Sequence, residues 1–254
     1  MGEAVIDSGG VVAPGFEPLA EAFRAQMARG RGGALVVRRG AEVLADLRIG
    51  YADRERTRRW EPETQALGFS ATKGLASMVL HRLADRGLLG YDEPVAASWP
   101  EFAASGKGQV TVRQLMSHRA NLHDVQAVAK GAADLLDHIG MEERLAAAPM
   151  TGPPGRPAYH AITYGWLASG LARAITGRGM RELALEELAG PLEAPQLEIG
   201  YPSRRPADIV GNSLRIYTSL GAAFTPVLGF LPVTKAGFRA LHAHDVVYRE
   251  PALG

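Results

Sequence analysis

Apolar residues recur at helical spacing in "EPLAEAFRAQMARG", through Leu19, Ala22, Phe23 and Met27, which predicts a helix closing at Gly30. In "GALVVRRGAEVLADLRIG" the period shortens to two. Val43, Ala45, Leu47 and Ile49 alternate with Leu44, Asp46 and Arg48, which predicts a β-hairpin turning at Arg39-Gly40. "YADRERTRRWEPETQ" keeps neither period and reads as polar and irregular. Helical spacing returns from about Ser70 to Arg86 and stops at Gly87, a residue suited to a left-handed helix end. "LLGYDEPVAASWPEFAASGKGQ", interrupted by Pro94 and Pro100, reads as a long connection. Thr111 suits the cap of "VRQLMSHR". Asp134 to Ala147 reads as one helix, followed by the break "PMTGPPGRP". "AITYGWLASGLARAITG" predicts a strongly apolar helix ending at Gly177, and "MRELALEELAG" another. After Pro202 the pattern weakens. A helix and hairpin followed by a long, mostly helical region predicts an α/β (α+β) chain in which a small sheet carries a helical subdomain.

Length and composition narrow the class. The 254 residues suit one large domain or two small ones, and the chain is read as a single domain. The expected division is residues 1–70 for the helix and hairpin of the sheet region, 71–200 for the mostly helical region, and 201–254 for an irregular return to the sheet. A net charge of +1 offers no electrostatic basis for binding nucleic acid or an anionic membrane. Arg54, Arg56, Arg58 and Arg59 are offset by Asp53, Glu55 and Glu61, so that stretch reads as a solvated loop. There is no cysteine, which excludes disulfides and thiolate metal sites. "MGEAVIDSGGVVAPGF" lacks a basic patch followed by an apolar core, which favours a cytoplasmic location over a secretory one. The uncharged run from Ile216 to Val233 contains Pro226 and Pro232 and reads as a buried or interfacial segment, not a membrane span.

The candidate chemistry begins at "GFSATKG". The chain has four lysines, and Lys73 stands three residues after Ser70 at a predicted helix start. Positions i and i+3 share a helix face, so the amine can reach back over the hydroxyl. The helix N-terminus directs N–H groups and partial positive charge toward Ser70, which suits an oxyanion. Against this stands the plainer reading of Ser70 as a helix cap with a solvated Lys73. The spacing S-x-x-K arises by chance roughly 0.2 times in a chain of this make-up, so the motif gains weight only from its setting. "GFSAT" also resembles the G-x-S-x-G elbow of α/β-hydrolases, but Thr72 replaces the second glycine. "HAHD" (His242 to Asp245) resembles a zinc motif in which the aspartate falls one position early and no third ligand follows, so no metal and no cofactor are expected. His81 reads as a partly exposed helix residue.

From about residue 15 to residue 200 the chain resembles the serine β-lactamase-like superfamily, the group of class C β-lactamases and penicillin-binding proteins, and within it the family VIII carboxylesterases. The resemblance rests on "GFSATKG", "DEPVAASWPEF", "GKGQVTVRQLMSHRANL" and "YHAITYGWLASGLARAITG", in that order. S-x-x-K is a signature of the group. The resemblance implies a β-lactamase/transpeptidase-like fold, an antiparallel sheet with flanking helices. It implies a serine hydrolase that cleaves small carboxylic esters through an acyl-enzyme, with Ser70 as nucleophile, Lys73 as its activating amine and Tyr159 as proton carrier. Tyr164 competes with Tyr159 for the last role. The β-lactamase form of the tyrosine motif is Y-x-N, whereas this chain has Tyr159-His160-Ala161, which fits an esterase better than a β-lactamase or D-Ala peptidase. His118 falls in a family motif and is expected to hold a loop by hydrogen bonds. Asn121 stands where relatives often have glycine and suits a left-handed turn.

The resemblance also implies a third element, a K-T-G or H-x-G triplet on a late strand, for which "VTKAG" (Val233 to Gly237) and His242 to His244 are poor matches. Relatives continue beyond the point where this chain ends. The alternative expectation is therefore a truncated or catalytically impaired relative, acting as a binding module, as a homo-oligomer or with a completing chain.

Overall fold

The computed structural model describes residues 7–27, 32–53 and 55–200. The run Ile216 to Val233, "VTKAG" and "HAHD" lie outside them, as do Gly30 and Arg54. The described residues fall into two compact units, dividing between Leu67 and Gly68.

The first unit holds β1 (Asp7–Val12), α1 (Glu17–Met27), β2 (Gly33–Arg39) and β3 (Glu42–Ile49). The sheet is antiparallel in the order β1-β3-β2. β3 is central and α1 packs on it, so alternation should hide one face of β3. Ala45, Leu47 and Ile49 are buried as the period predicts. Val43 departs from it. A bulge pairs Val37 with Ala45 but Arg38 with Val43, and the extra residue reverses the pattern beyond it. Leu44 is 7% exposed and Val43 36%. The hairpin turn is Gly40-Ala41 instead of Arg39-Gly40, because Arg39 still pairs with Glu42 and Gly40 supplies the positive φ of 59°. Periodicity did not disclose β1: its "DSGGVV" carries two glycines, residues with low strand propensity. A Cβ on Gly10 would lie 2.0 Å from the Asp46 carbonyl oxygen, so the close approach of β1 to β3 requires glycine there.

The second unit is helical. A 3-10 turn, Phe69–Ala71, leads into α2 (Thr72–Asp85), and Gly87 follows with φ 72°. The expected connection after α2 is partly helical: α3 (Val95–Ser98) and a 3-10 segment, Pro100–Gly106. Both prolines sit at helix starts, where a missing N–H costs little. Thr111 caps α4 (Val112–Met116) in a reciprocal box with Gln114. The single helix expected over 134–147 is two, α5 (Ala132–Leu136) and α6 (His138–Ala147). Asp137 breaks them by accepting a hydrogen bond from the Gly140 amide at 3.0 Å.

The apolar helix α7 (Thr163–Thr176) ends at Gly177 with φ 74°. Tyr164, Leu167, Ala168 and Leu171 line one buried stripe of it. Helices α2, α3, α4 and α6 pack around α7, as does α8 (Met180–Ala184), which runs on as a π-turn, Leu185–Ala189. Val79, Leu80, Leu83, Phe102, Leu115 and Leu145 complete the centre of this core. Buried Glu187 pairs with Arg82 and Arg86 and ties the π-turn to α2. No helix among the described residues is long and apolar enough to cross a membrane.

Candidate active site

The site is built where α2 begins. Phe69 adopts φ 44°, a left-handed conformation that is an outlier for a bulky residue and typically costs about 1–3 kcal/mol. This turn places Ser70 at the head of the helix. The serine is not a helix cap: the first residue of neither the 3-10 turn nor α2 receives a side-chain cap bond. The Lys73 ammonium donates to Ser70 Oγ at 3.1 Å and to the Ala161 carbonyl at 2.7 Å. The second bond reaches 88 positions along the chain, and it fixes the amine between the helix and the loop before α7.

Tyr159 lies on that loop, with its ring centroid 5.0 Å from Lys73 Nζ. Its side chain is open on one side, at 56% exposure. Partial burial acts to raise the phenol pKa, but hydrogen bonds with Ser70 and Lys73 and the charge of Lys73 outweigh it and hold the phenol below its ordinary range. The structure therefore brings Ser70, Lys73 and Tyr159 together.

Tyr164 is placed differently. It is 2% exposed, and its hydroxyl lies 2.6 Å from Ser77 Oγ. Ser77 spends its own hydrogen on the Lys73 carbonyl at 2.8 Å, so Tyr164 is the donor in that pair. Burial pushes the Tyr164 phenol up, with Ser77 only partly opposing. It keeps its proton and packs beside His118, ring centroids 4.9 Å apart.

Two loops carry the rest. His118 and Asn121 both have positive φ, 62° and 51°, as the left-handed turn expected at Asn121 requires. The carbonyls of this loop accept from the other: Ala158 N–H to His118, Gly155 N–H to Arg119 and Thr151 N–H to Asn121, at 2.9, 3.0 and 2.9 Å. His160 Nε2 returns a bond, accepting from the Leu122 amide at 3.1 Å. His160 is fully buried, and its pKa is pushed down to about 4, first by burial and then by the neighbouring His118 and His123. The Ala158 carbonyl opposes this, although Nδ1 has no partner of good hydrogen-bond geometry among the described residues. In the sequence His160 is only the unspecified middle residue of Y-x-N, and the structure makes it an acceptor that joins the loops. The Ala161 carbonyl left no sequence signal at all, since any residue supplies one.

A pocket of about 230 Å³ adjoins Lys73, lined chiefly by Phe69, Ala76, Ile162, Trp166 and Met180. Its polar wall holds His138 and Ser169. His138 Nε2 meets both Ser169 Oγ and Glu142 Oε1, each at 3.0 Å. Because both contacts use the same nitrogen, this is not a serine–histidine–acid relay. Burial acts to raise the Glu142 pKa, but hydrogen bonds from His138, Arg173 and Ser169 bring the net value down, so Glu142 is a charged structural anchor. No group of three or more histidine or carboxylate side chains able to hold a metal occurs among the described residues.

Residues 19–211 match the model of the Beta-lactamase family. The chain is 48% identical over 202 residues to the Esterase/beta-lactamase LipL of Mycobacterium tuberculosis, an alignment covering 78% of this chain and 46% of that protein. Among solved structures it resembles a penicillin-binding protein homolog from Caulobacter crescentus, at 35% identity and a TM-score of 0.72, covering 82% of this chain and 56% of the other. It likewise resembles a family VIII carboxylesterase, at 34% identity and a TM-score of 0.73, covering 82% and 57%. The chain thus spans about half the length of these relatives. The antiparallel sheet with helices has the β-lactamase/transpeptidase-like fold, and the chain belongs to the Beta-lactamase family.

Proposed function

We propose that this chain carries the nucleophile site of a serine hydrolase acting on small carboxylic esters through an acyl-enzyme. The observation that carries the reading is one cluster: Lys73 Nζ 3.1 Å from Ser70 Oγ, beside a phenol whose pKa is lowered by hydrogen bonds to both. A serine hydroxyl is a weak nucleophile unless its proton has somewhere to go. Tyr159 in its ionised form, which the charge of Lys73 favours, takes that proton as Ser70 Oγ bonds to the ester carbonyl carbon. The carbonyl π electrons move to oxygen, and the Ser70 amide at the head of α2 helps to hold the resulting oxyanion. When the tetrahedral intermediate collapses, Tyr159 gives the proton to the departing alkoxide, which leaves as alcohol. Water then attacks the acyl-serine: Tyr159 takes its proton, and Ser70 leaves with that proton restored. Similarity to a protein named Esterase/beta-lactamase and to a family VIII carboxylesterase supports this class. His160-Ala161 in place of the x-N of Y-x-N favours esters over β-lactams.

The test is labelling with a fluorophosphonate probe, mapped by peptide mass. One adduct on Ser70, absent from Ser70→Ala and slowed about 100-fold or more in Tyr159→Phe, is expected. Equal labelling of the folded Ser70→Ala variant would refute it.

A further inference from the structure

Tyr159 sits on a loop and is more than half exposed, yet its hydroxyl must meet two other side chains. Something has to fix the loop, and one residue holds both of its neighbours. The His118 carbonyl accepts from the Ala158 amide at 2.9 Å, and His118 Nδ1 accepts from the His160 amide at 3.2 Å. The backbone N–H groups of the residues before and after Tyr159 are thus tied to a single residue, while the His118 ring lies edge-on to the tyrosine ring at 5.0 Å. We propose that His118 is the positioning residue for Tyr159, acting through its unprotonated Nδ1. The proposal rests on the role given to Tyr159 above.

The chemistry of the contact sets the state of the histidine. A backbone N–H only donates, so Nδ1 must present its lone pair, and the ring proton of the neutral imidazole resides on Nε2. A second proton on Nδ1 would set donor against donor and release the amide. The surroundings resist that proton. Burial lowers the His118 pKa, and the Lys73 charge lowers it further. Among the described residues, the titratable groups facing the ring are Lys73 from α2, Tyr164 from α7, and Tyr159 and His160 from the clamped loop. None is a carboxylate that would stabilise an imidazolium. His118 makes both contacts from a left-handed backbone, with φ 62°.

The geometry also defines a conservative substitute. Asparagine places its Oδ1 near the position of histidine Nδ1 and tolerates a left-handed φ. His118→Asn therefore keeps the acceptor. His118→Phe keeps a ring and loses the acceptor. His118→Gln moves the oxygen out to the Nε2 position and serves where phenylalanine does not fold.

The experiment follows the Tyr159 phenol by 13C NMR of ring-labelled tyrosine in the full chain, assigned with Tyr159→Phe, alongside the rate of fluorophosphonate labelling. In His118→Phe, or in His118→Gln, the Tyr159 pKa should rise toward the ordinary value of about 10 and labelling should slow by about 30-fold or more. In His118→Asn both should stay within about threefold of the parent chain. Adding His118→Phe to Tyr159→Phe should slow labelling by less than about threefold further, because both changes remove one function. A Tyr159 titration unmoved in a folded His118→Phe or His118→Gln variant would overturn the proposal, as would full additivity in the double variant. The reading of the site fails separately: if the parent chain does not label while the phenol still responds to His118, the positioning stands and the hydrolase does not.

Discussion

Acid should weaken this fold through one buried ring. His160 is fully buried with a pKa near 4, against 6.5 for the free side chain. The folded value is depressed, so as pH falls the unfolded chain takes up the proton first. Stability is therefore complete above the unfolded value of 6.5 and is lost progressively as pH falls toward about 4. About 2.5 pKa units at 1.36 kcal/mol each amount to about 3 kcal/mol across that window, with a slope of about 1.4 kcal/mol per pH unit once the unfolded histidine is protonated. The carboxylates with depressed values, Asp53, Asp92, Asp134 and Glu142, act lower. Their stabilisation is present above their unfolded values of 3.8 and 4.5 and is lost only below them. Between about pH 6.5 and pH 5 the histidines dominate, with His118 adding in the same direction. The assay is urea unfolding at half-unit steps of pH, followed by the fluorescence of buried Trp99 and Trp166. The control is His160→Gln, whose Oε1 takes the place of Nε2 in accepting the Leu122 amide but does not titrate. The parent slope should exceed that of the variant by about 1.4 kcal/mol per pH unit below pH 6. Equal slopes would mean that the ring is solvated enough to titrate normally, and would refute the argument from burial.

Gly170→Ala should destabilise the helical unit by about 1–3 kcal/mol in urea unfolding, because a Cβ there would stand 2.2 Å from the Trp99 indole. An unchanged midpoint would mean that Trp99 swings aside without loss. Lys107→Met should cost about 1–3 kcal/mol by the same measurement. The Lys107 ammonium is fully buried and donates to the Ala104 and Ala148 carbonyls, the second at the C-terminus of α6; a thioether donates to neither, and Ala104 is left with the Lys107 backbone amide alone. Burial lowers the Lys107 pKa, which marks the cost of keeping the charge there and limits the net loss.

Elements with a strong period and clear end residues were legible in the sequence. The stripe of α7 and its Gly177 stop, the Gly87 stop after α2 and the Thr111 cap are local signals, and local physics decides them. Elements set by a distant partner were not. β1 becomes a strand because β3 accepts it, and its glycines argue for the opposite. Leu44 turns inward because of a pairing offset against β2, information held in the other strand. Asp137 divides a continuous helical period with a side-chain bond worth about one cap, a local event that periodicity averages away. Pro94 and Pro100 look like breakers, yet they begin short helices, because a proline in the first turn forfeits no bond.

The candidate site shows the same division at closer range. Ser70 and Lys73 are one helical turn apart, so their meeting follows from helix geometry, and only the strained Phe69 turn ahead of them went unannounced. The choice between Tyr159 and Tyr164 is not local. Both are phenols a few residues apart, and what separates them is the company each keeps: Tyr159 meets Lys73 and Ser70, whereas Tyr164 is sunk into the core and gives its hydrogen to Ser77. The same charge that lowers one phenol cannot serve the other, because burial drives Tyr164 toward its protonated form while its partner is a neutral hydroxyl. The position of Tyr159 in turn depends on amides tied to His118, about forty residues upstream in a loop with no regular structure. A proton carrier on an exposed loop can hold a lowered pKa only while that loop is clamped. The histidine that clamps it is therefore as much a condition of the chemistry as the lysine that shifts it.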